Sequence, residues 1–453
     1  MNLESLKAFV EAARWFGGKG RDFEVTDVRR LAEVPGSPDG GPATIVHLIE
    51  LTYDDGGVEF YQVPLVFYSD PEPRLDHAFV GWWEDPERGW VHAYDALHDR
   101  DAMGGWLHAF ETKPEGDLRF ERIPGHDLDL EAHSTLFSGE QSNSSVAFGE
   151  DSILKVFRKI TPGINPDIAI HEVLTEAGSE HVARLYGWVE ASTDSGVLHL
   201  AMLQQFLRTA TDGWELALTS VRNLFAEADL HADEVGGDFA GEASRLGVAL
   251  AEVHETLAES FDVGTVPAAD VADGMRTRLD EAVPVVPELA PYAAQLRGAY
   301  DALAALGELE VQRIHADLHL GQTLRTVLGW KVVDFEGEPA KPLSERVLPD
   351  SPWRDVAGMM RSFDYAAHAV QRSLAGHDET SAAQRAWRAE EWAARNKQHF
   401  LTAYADGELT ARQGTLLAAY VADKAVYECV YETRNRPAWV SIPLEAVARI
   451  GVP

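Results

Sequence analysis

The sequence predicts an α+β chain in two lobes, strand-rich at its start and helical from about residue 206 onward. Two turn-closed runs of alternating residues come first, at 44–67 and 144–157; helical periodicity then dominates 214–257 and 353–450. Between the two helical stretches sits a short apolar hairpin rich in His and Asp. Strands first and helices second read as two packed bodies with a cleft between them. At 453 residues, and roughly 150 residues per domain, two or three units are expected.

In chain order, residues 1–90 form a small mixed module. It opens with a short amphipathic helix over 3–13 and continues into strands 44–53 and 58–67, which flank Asp54-Asp55-Gly56-Gly57, the chemistry of a tight hairpin turn. Residues 91–205 form a second module. A helix is predicted over 93–112, then strands 144–148 and 152–157 around Gly149-Glu150-Asp151. A helix follows, entered at Asn165-Pro166-Asp167 because proline suits a first turn, and a strand covers 198–205. Residues 206–453 are the helical lobe, in which the Pro-, Ala- and Asp-rich segment 261–291 reads as the loosest part.

Thirty Arg and nine Lys against 74 acidic residues leave a net charge of −35. Such a surface repels nucleic acid and anionic lipid, so neither is expected as a partner. A lone Cys429 excludes internal disulfides and fits a reducing compartment. The first ten residues lack the character of a signal peptide, and no run reaches the roughly 20 apolar residues of a membrane span. A cytoplasmic protein is expected.

The chemistry is concentrated in His315-Ala316-Asp317-Leu318-His319-Leu320-Gly321-Gln322 and Trp330-Lys331-Val332-Val333-Asp334-Phe335-Glu336. Asp317 is placed to accept a proton from a substrate hydroxyl. Gln322, five residues on, and Asp334, closing an apolar strand, are oxygen donors suited to Mg2+. A metal-bound triphosphate needs these parts because phosphoryl transfer is mostly positioning and charge neutralisation. The fold expected is therefore protein-kinase-like, with ATP and Mg2+ as cofactors.

Ser142, Asn143 and Ser144 stand where a phosphate-covering loop belongs, just before the strand carrying Lys155. No GxGxxG is present, so backbone N–H groups and small polar side chains would meet the phosphates. Lys155, on a strand whose other face carries Leu154 and Val156, suits the α/β-phosphates. Glu172, with Glu176 as the next candidate on the same helix face, would hold it. Each feature alone also fits a plain turn, an edge-strand lysine or a solvated glutamate.

Near the C-terminus Lys424, Tyr427, Glu428 and Tyr431 recur at i, i+3, i+4 and i+7, making one helix stripe both charged and aromatic. Sugar sites want that mixture, because hydroxyls take charged hydrogen bonds and C–H faces stack on rings. Packed tyrosines with ordinary ion pairs would give the same spacing. Ala422, Val426, Cys429 and Val430 form the core face.

Glu140-Gln141-Ser142-Asn143-Ser144, Ile153-Leu154-Lys155-Val156-Phe157-Arg158, Gly163-Ile164-Asn165-Pro166-Asp167, Asp334-Phe335-Glu336-Gly337-Glu338-Pro339 and Asp423-Lys424-Ala425-Val426-Tyr427-Glu428 together resemble the actinobacterial maltokinases, relatives of the aminoglycoside phosphotransferases. The likeness runs from about residue 140 to the C-terminus, and Arg14-Trp15-Phe16 with the first hairpin suits the family's N-terminal cap. The resemblance implies a kinase that transfers the ATP γ-phosphate to the anomeric hydroxyl of maltose, giving maltose 1-phosphate for α-glucan synthesis; a monomer is expected. Asp317 would be the base, Gln322 and Asp334 the metal ligands, Lys155 a phosphate ligand, and His319 with the Lys424, Tyr427, Glu428 and Tyr431 stripe would face the sugar. Two departures stand out. The wider phosphotransferase group has Asn at the place of Gln322, and maltokinases have Glu where this chain has Ala169. Glucosamine, another monosaccharide or an aminoglycoside is the alternative acceptor, and a non-catalytic scaffold the alternative class.

Overall fold

The computed structural model describes residues 1–137, 142–194, 196–227, 230–338, 341–374 and 382–450. Glu140 and Gln141 of the phosphate-loop motif and Pro339 of the Asp334 motif lie outside them. The chain divides into two compact units, Met1–Glu172 with Ala183–Arg208, and Val173–Val182 with Thr209–Pro453.

The first unit is built on two six-stranded sheets whose paired strands are antiparallel throughout. The hairpin Thr44–Tyr53 with Val58–Tyr68 forms as the sequence predicts. Its turn works because Asp55 Oδ1 accepts from Gly57 N at 2.8 Å and Gly56 adopts φ +83°, a conformation glycine takes without steric cost. Alternation along Thr44–Tyr53 sends Ile49, Leu51 and Tyr53 to one core, with Leu6 and Val10 of the helix Leu3–Ala12. Val46 and Leu48 go to the other, with Trp106 and Phe110. Both faces are covered, so the strand is almost wholly buried.

Two sequence expectations change here. The helix predicted over 93–112 begins only at Arg100, capped by Asp99, whose side chain accepts from Asp101 N. Residues Gly89–Asp95 are instead a strand paired on both edges. Their alternating Val91 and Ala93 belong to the first core, and cross-strand pairing overrides a helical pattern of the same few residues. The strand Phe23–Val34 was not foreseen. Register shifts at Val25/Asp27 and Arg30/Ala32 move its apolar residues from one core to the other, which hides the period of two.

In the second sheet, Asn143–Phe148 and Ser152–Phe157 pair as predicted. After Phe157 the chain crosses to the first sheet, where Lys159–Ile160 pairs with Val58–Tyr68. At the crossing Arg158 is fully buried, donating to Asp95 Oδ2 at 2.6 Å and to Ser144 Oγ at 2.8 Å. Gln62, also buried, donates to the carbonyls of Phe157 and Leu200.

The second unit is helical around a small hairpin, Thr323–Thr326 with Gly329–Val332. The helices Ala240–Ser260, Trp353–Ser373, Ala382–Tyr404 and Ala411–Asn435 supply most of its length. Phe239, Trp330, Phe363 and Trp392 lock together edge-to-face or tilted, with centroids 5.8 to 6.2 Å apart. Segment 261–291, too apolar to be disordered, holds the strand Gly264–Pro267 and the helix Ala268–Val285. Ala268, Ala272, Met275, Leu279 and Ala282 form a buried helical stripe, and Pro284, which has no N–H to donate to the preceding turn, stands one residue before the helix ends at Val285.

Candidate active site

In the second unit the segment His315 to Gln322 is irregular and strained, and its neighbours hold it. Ala316 has φ +70° and Asp334 has φ +67°, conformations that non-glycine residues adopt at a cost. Asp355, fully buried on the helix Trp353–Ser373, accepts from His315 N at 2.7 Å and Ala316 N at 2.8 Å, while His254 Nε2 lies 3.1 Å from it. Burial opposes its charge, but His254 and these donors outweigh it and hold its carboxyl below the usual range. Ser362 Oγ accepts from Leu320 N at 3.0 Å. A Cβ at Gly358 would stand 2.4 Å from Leu318 O, so only glycine lets this helix approach the loop.

These supports deliver three functional atoms. Asp317 is partly exposed, with Lys424 Nζ 3.4 Å from its Oδ1. Gln322 closes the turn Leu320–Gln322, and its Nε2 lies 3.0 Å from Asp334 Oδ2. A carboxylate oxygen of Glu336 lies within 4.8 Å of one of Asp334. Rotating the Gln322 amide would present Oε1, giving a set of hard oxygen donors that fits Mg2+. Glu336 was not assigned from sequence, although it stands two residues from Asp334. His319 is half-buried, and desolvation lowers its pKa against the pull of Asp317.

Asp317 opens on a cavity of about 700 Å3. Trp214, Tyr365, Tyr427, Tyr431 and Trp439 give it aromatic walls, and His319, Lys424 and Glu428 also line it. The stripe read from sequence is thus brought together around Asp317, with one difference. Tyr427 and Tyr431 are exposed, but Glu428 is buried and accepts from Arg361 Nε at 2.8 Å. Burial still raises the Glu428 pKa against that pull. The other carboxylates in the wall are matched too: Glu432 by Arg436 at 2.6 Å and Glu338 by Arg354 at 3.1 Å. Asp212 differs, being the N-cap of the helix Gly213–Ala226 and accepting from Glu215 N at 3.0 Å.

In the first unit Lys155 lies on an interior strand, between Asn143–Phe148 and Gly196–Gln205, which excludes a solvated edge lysine. Its Nζ donates to Asp167 Oδ2 at 2.8 Å. Burial disfavours the Asp167 charge, but Lys155 and His171 outweigh it and lower its pKa. The sequence points to Glu172 for this partner; the partner described is Asp167, at the Asn165-Pro166-Asp167 helix start. Ser144, expected at the phosphates, is buried with its Oγ on Arg158. Asn143 begins its strand, and Ser142 directly precedes it.

A loop carrying a carboxylate, with two oxygen-donor side chains at the foot of a hairpin, is the arrangement expected of a kinase-like phosphotransferase. Residues 9–99 match the family model of the maltokinase N-terminal cap domain. A glucosamine kinase of Streptacidiphilus jiangxiensis is 31% identical over 326 residues, 67% of this chain and 70% of that protein. One from Mycolicibacterium smegmatis is 27% identical over 325 residues, 67% and 76% respectively. A solved glucosamine kinase, in complex with glucosamine, ADP and inorganic phosphate, superposes with TM-score 0.69 at 24% identity, covering 98% of this chain and 99% of that one, and so shares the fold. The chain belongs to the kinase-like superfamily as a maltokinase-like member related to the glucosamine kinases. Among the described residues, no helix is long and apolar enough to cross a membrane.

Proposed function

We propose that the protein is an ATP- and Mg2+-dependent sugar kinase that phosphorylates the anomeric hydroxyl of maltose, acting as a cytoplasmic monomer whose product feeds α-glucan synthesis. Asp317 accepts the hydroxyl proton and orients the oxygen, and Lys424 fixes the Asp317 carboxylate. Neutral His319 and the rings of Tyr427 and Tyr431 hold the sugar. Gln322 and Asp334 would hold the cation, which supplies charge neutralisation on the phosphate oxygens. Ser142, Asn143, Ser144 and Lys155 serve the nucleotide phosphates, with Glu172 assisting Lys155 beside Asp167.

The observation that carries the choice of acceptor is the charge matching of the cavity wall. Asp317, Glu338, Glu428 and Glu432 each have a cation in contact, so an incoming ammonium would gain little from them. Aromatic walls around about 700 Å3 suit a neutral disaccharide. Glucosamine is the second reading. It is favoured by the two glucosamine kinase relatives and by Asp212, a wall carboxylate whose described partner is a backbone N–H.

A coupled ADP-release assay with ATP and Mg2+ across maltose, glucose, glucosamine and kanamycin tests both. Maltose should give a kcat/KM at least about tenfold above glucosamine, a margin of roughly 1.4 kcal/mol. Glucosamine as the best acceptor, with turnover lost in Asp212→Asn, replaces maltose and leaves a sugar kinase. No turnover with any acceptor sinks the enzyme reading.

A further inference from the structure

The largest cavity described in the first unit, about 1260 Å3, borders Asn143 and Ser144 of the proposed phosphate loop, but its arginines and histidines have no part in the reaction above. Its wall carries Arg14, Arg74, Arg100, Arg158, His77 and His98, against one carboxylate among the described residues, Asp95. In a chain of net charge −35, so one-sided a wall is unexpected from composition. Asp95 is already committed, held by Arg158 at 2.6 Å. Arg74 is matched by Asp99 at 3.0 Å and also meets Glu72 and Asp101. Arg100, by contrast, has no carboxylate within ion-pair distance among the described residues.

Arg158 supplies the second observation. It is 1% exposed and lines this cavity, yet its Nη1 has no hydrogen-bond partner among the described residues. A guanidinium buried with a donor unmet is costly, and an oxyanion such as phosphate is the group that satisfies it best. His77 and His98 meet edge-to-face at 4.9 Å. Burial lowers the His98 pKa, which leaves that ring a neutral hydrogen-bonding group beside the charges. Phe9, Trp15, Phe79 and Trp82 provide the apolar part of the wall. Arginines with rings suit a phosphate carried on a sugar.

We infer that this cavity is a binding site for a small phosphate-bearing anion, anchored by Arg158 and gathered by Arg100 and the His77–His98 pair. Calorimetric titration of the full chain with inorganic phosphate and, separately, with glucose 1-phosphate tests it. Saturable one-to-one binding is expected for both, tighter for glucose 1-phosphate. The exposed pair Arg100→Ala with His77→Ala should weaken both about tenfold, the loss of one charged hydrogen bond, with an unchanged melting temperature. Arg158→Lys, which keeps the charge and removes the fork, should weaken both as well. Equal affinity for the two ligands supports an anion site that does not read the sugar. Absence of saturable binding, or binding that neither variant alters, overturns the site.

Discussion

The two cavities handle charge in opposite ways. In the second unit the wall is rich in carboxylates, and nearly every one has its own cation, from Arg361 behind Glu428 to Arg436 on Glu432. In the first unit the wall is rich in cations, and its one carboxylate among the described residues is spent on Arg158. A net charge of −35 predicts neither wall. What a ligand feels is the unmatched remainder at short range, because water and salt screen distant charges. The matched wall suits a neutral sugar, and the wall that keeps Arg100 and one Arg158 donor unmet among the described residues suits an anion.

The sharpest break of this comparison is at Asp317. Asp317→Asn removes the proposed base and, of the wall's ion pairs, only the one with Lys424, so kcat should fall about 10³-fold with ATP affinity nearly unchanged. Near-normal turnover would move the chemistry elsewhere. Next comes the matching itself. Arg361→Met strands buried Glu428 and should cost about 3–5 kcal/mol of stability in urea unfolding, with partial recovery in Arg361→Met combined with Glu428→Gln. A loss below about 1 kcal/mol, the worth of an exposed pair, would mean that the pair does not organise the cavity.

In the first unit a buried base provides the pH test. His47, nearly buried beside Phe67, is lowered to about 4 by burial. Unfolded, it binds protons near its ordinary value of 6.5, so between those values the unfolded chain holds more protons than the folded one. Stability is therefore full above pH 6.5 and declines toward pH 4, by up to about 3 kcal/mol from this group. His47→Phe should flatten that part of the stability curve, and an unchanged slope would contradict the assignment. The smallest effect is in salt: raising NaCl from about 0.05 to 0.5 M should leave the maltose KM within about twofold while weakening the anion isotherm several-fold. Equal sensitivities would erase the contrast between the cavities.

Parts of this arrangement are legible in the chain because they are local. The Asp54-Asp55-Gly56-Gly57 turn, the Asn165-Pro166-Asp167 helix start, the strand carrying Lys155 and the Lys424 to Tyr431 stripe each follow from spacing and turn chemistry within a few residues. Glu428 shows the limit of such reading. Its place on the stripe is visible from i, i+4 spacing, but the buried Arg361 that claims it is 67 residues away. Asp167, the described partner of Lys155, is 12 residues away across a strand end and a helix start. The bulged strand Phe23–Val34 and the strand Gly89–Asp95 escape a periodic reading because register shifts and two-sided pairing mask the alternation.

By itself the sequence determined the class of chemistry. Asp317, Gln322 and Asp334 are close enough along the chain, on either side of one short hairpin, for their spacing to define a loop. Tertiary structure alone decided which charges are spent and which remain available. That outcome depends on contacts such as Arg361 with Glu428, Asp355 beneath Ala316, and Arg158 with Asp95, made between residues far apart in the chain. Electrostatic strength falls with distance and with exposure to water, so only the folded positions fix it.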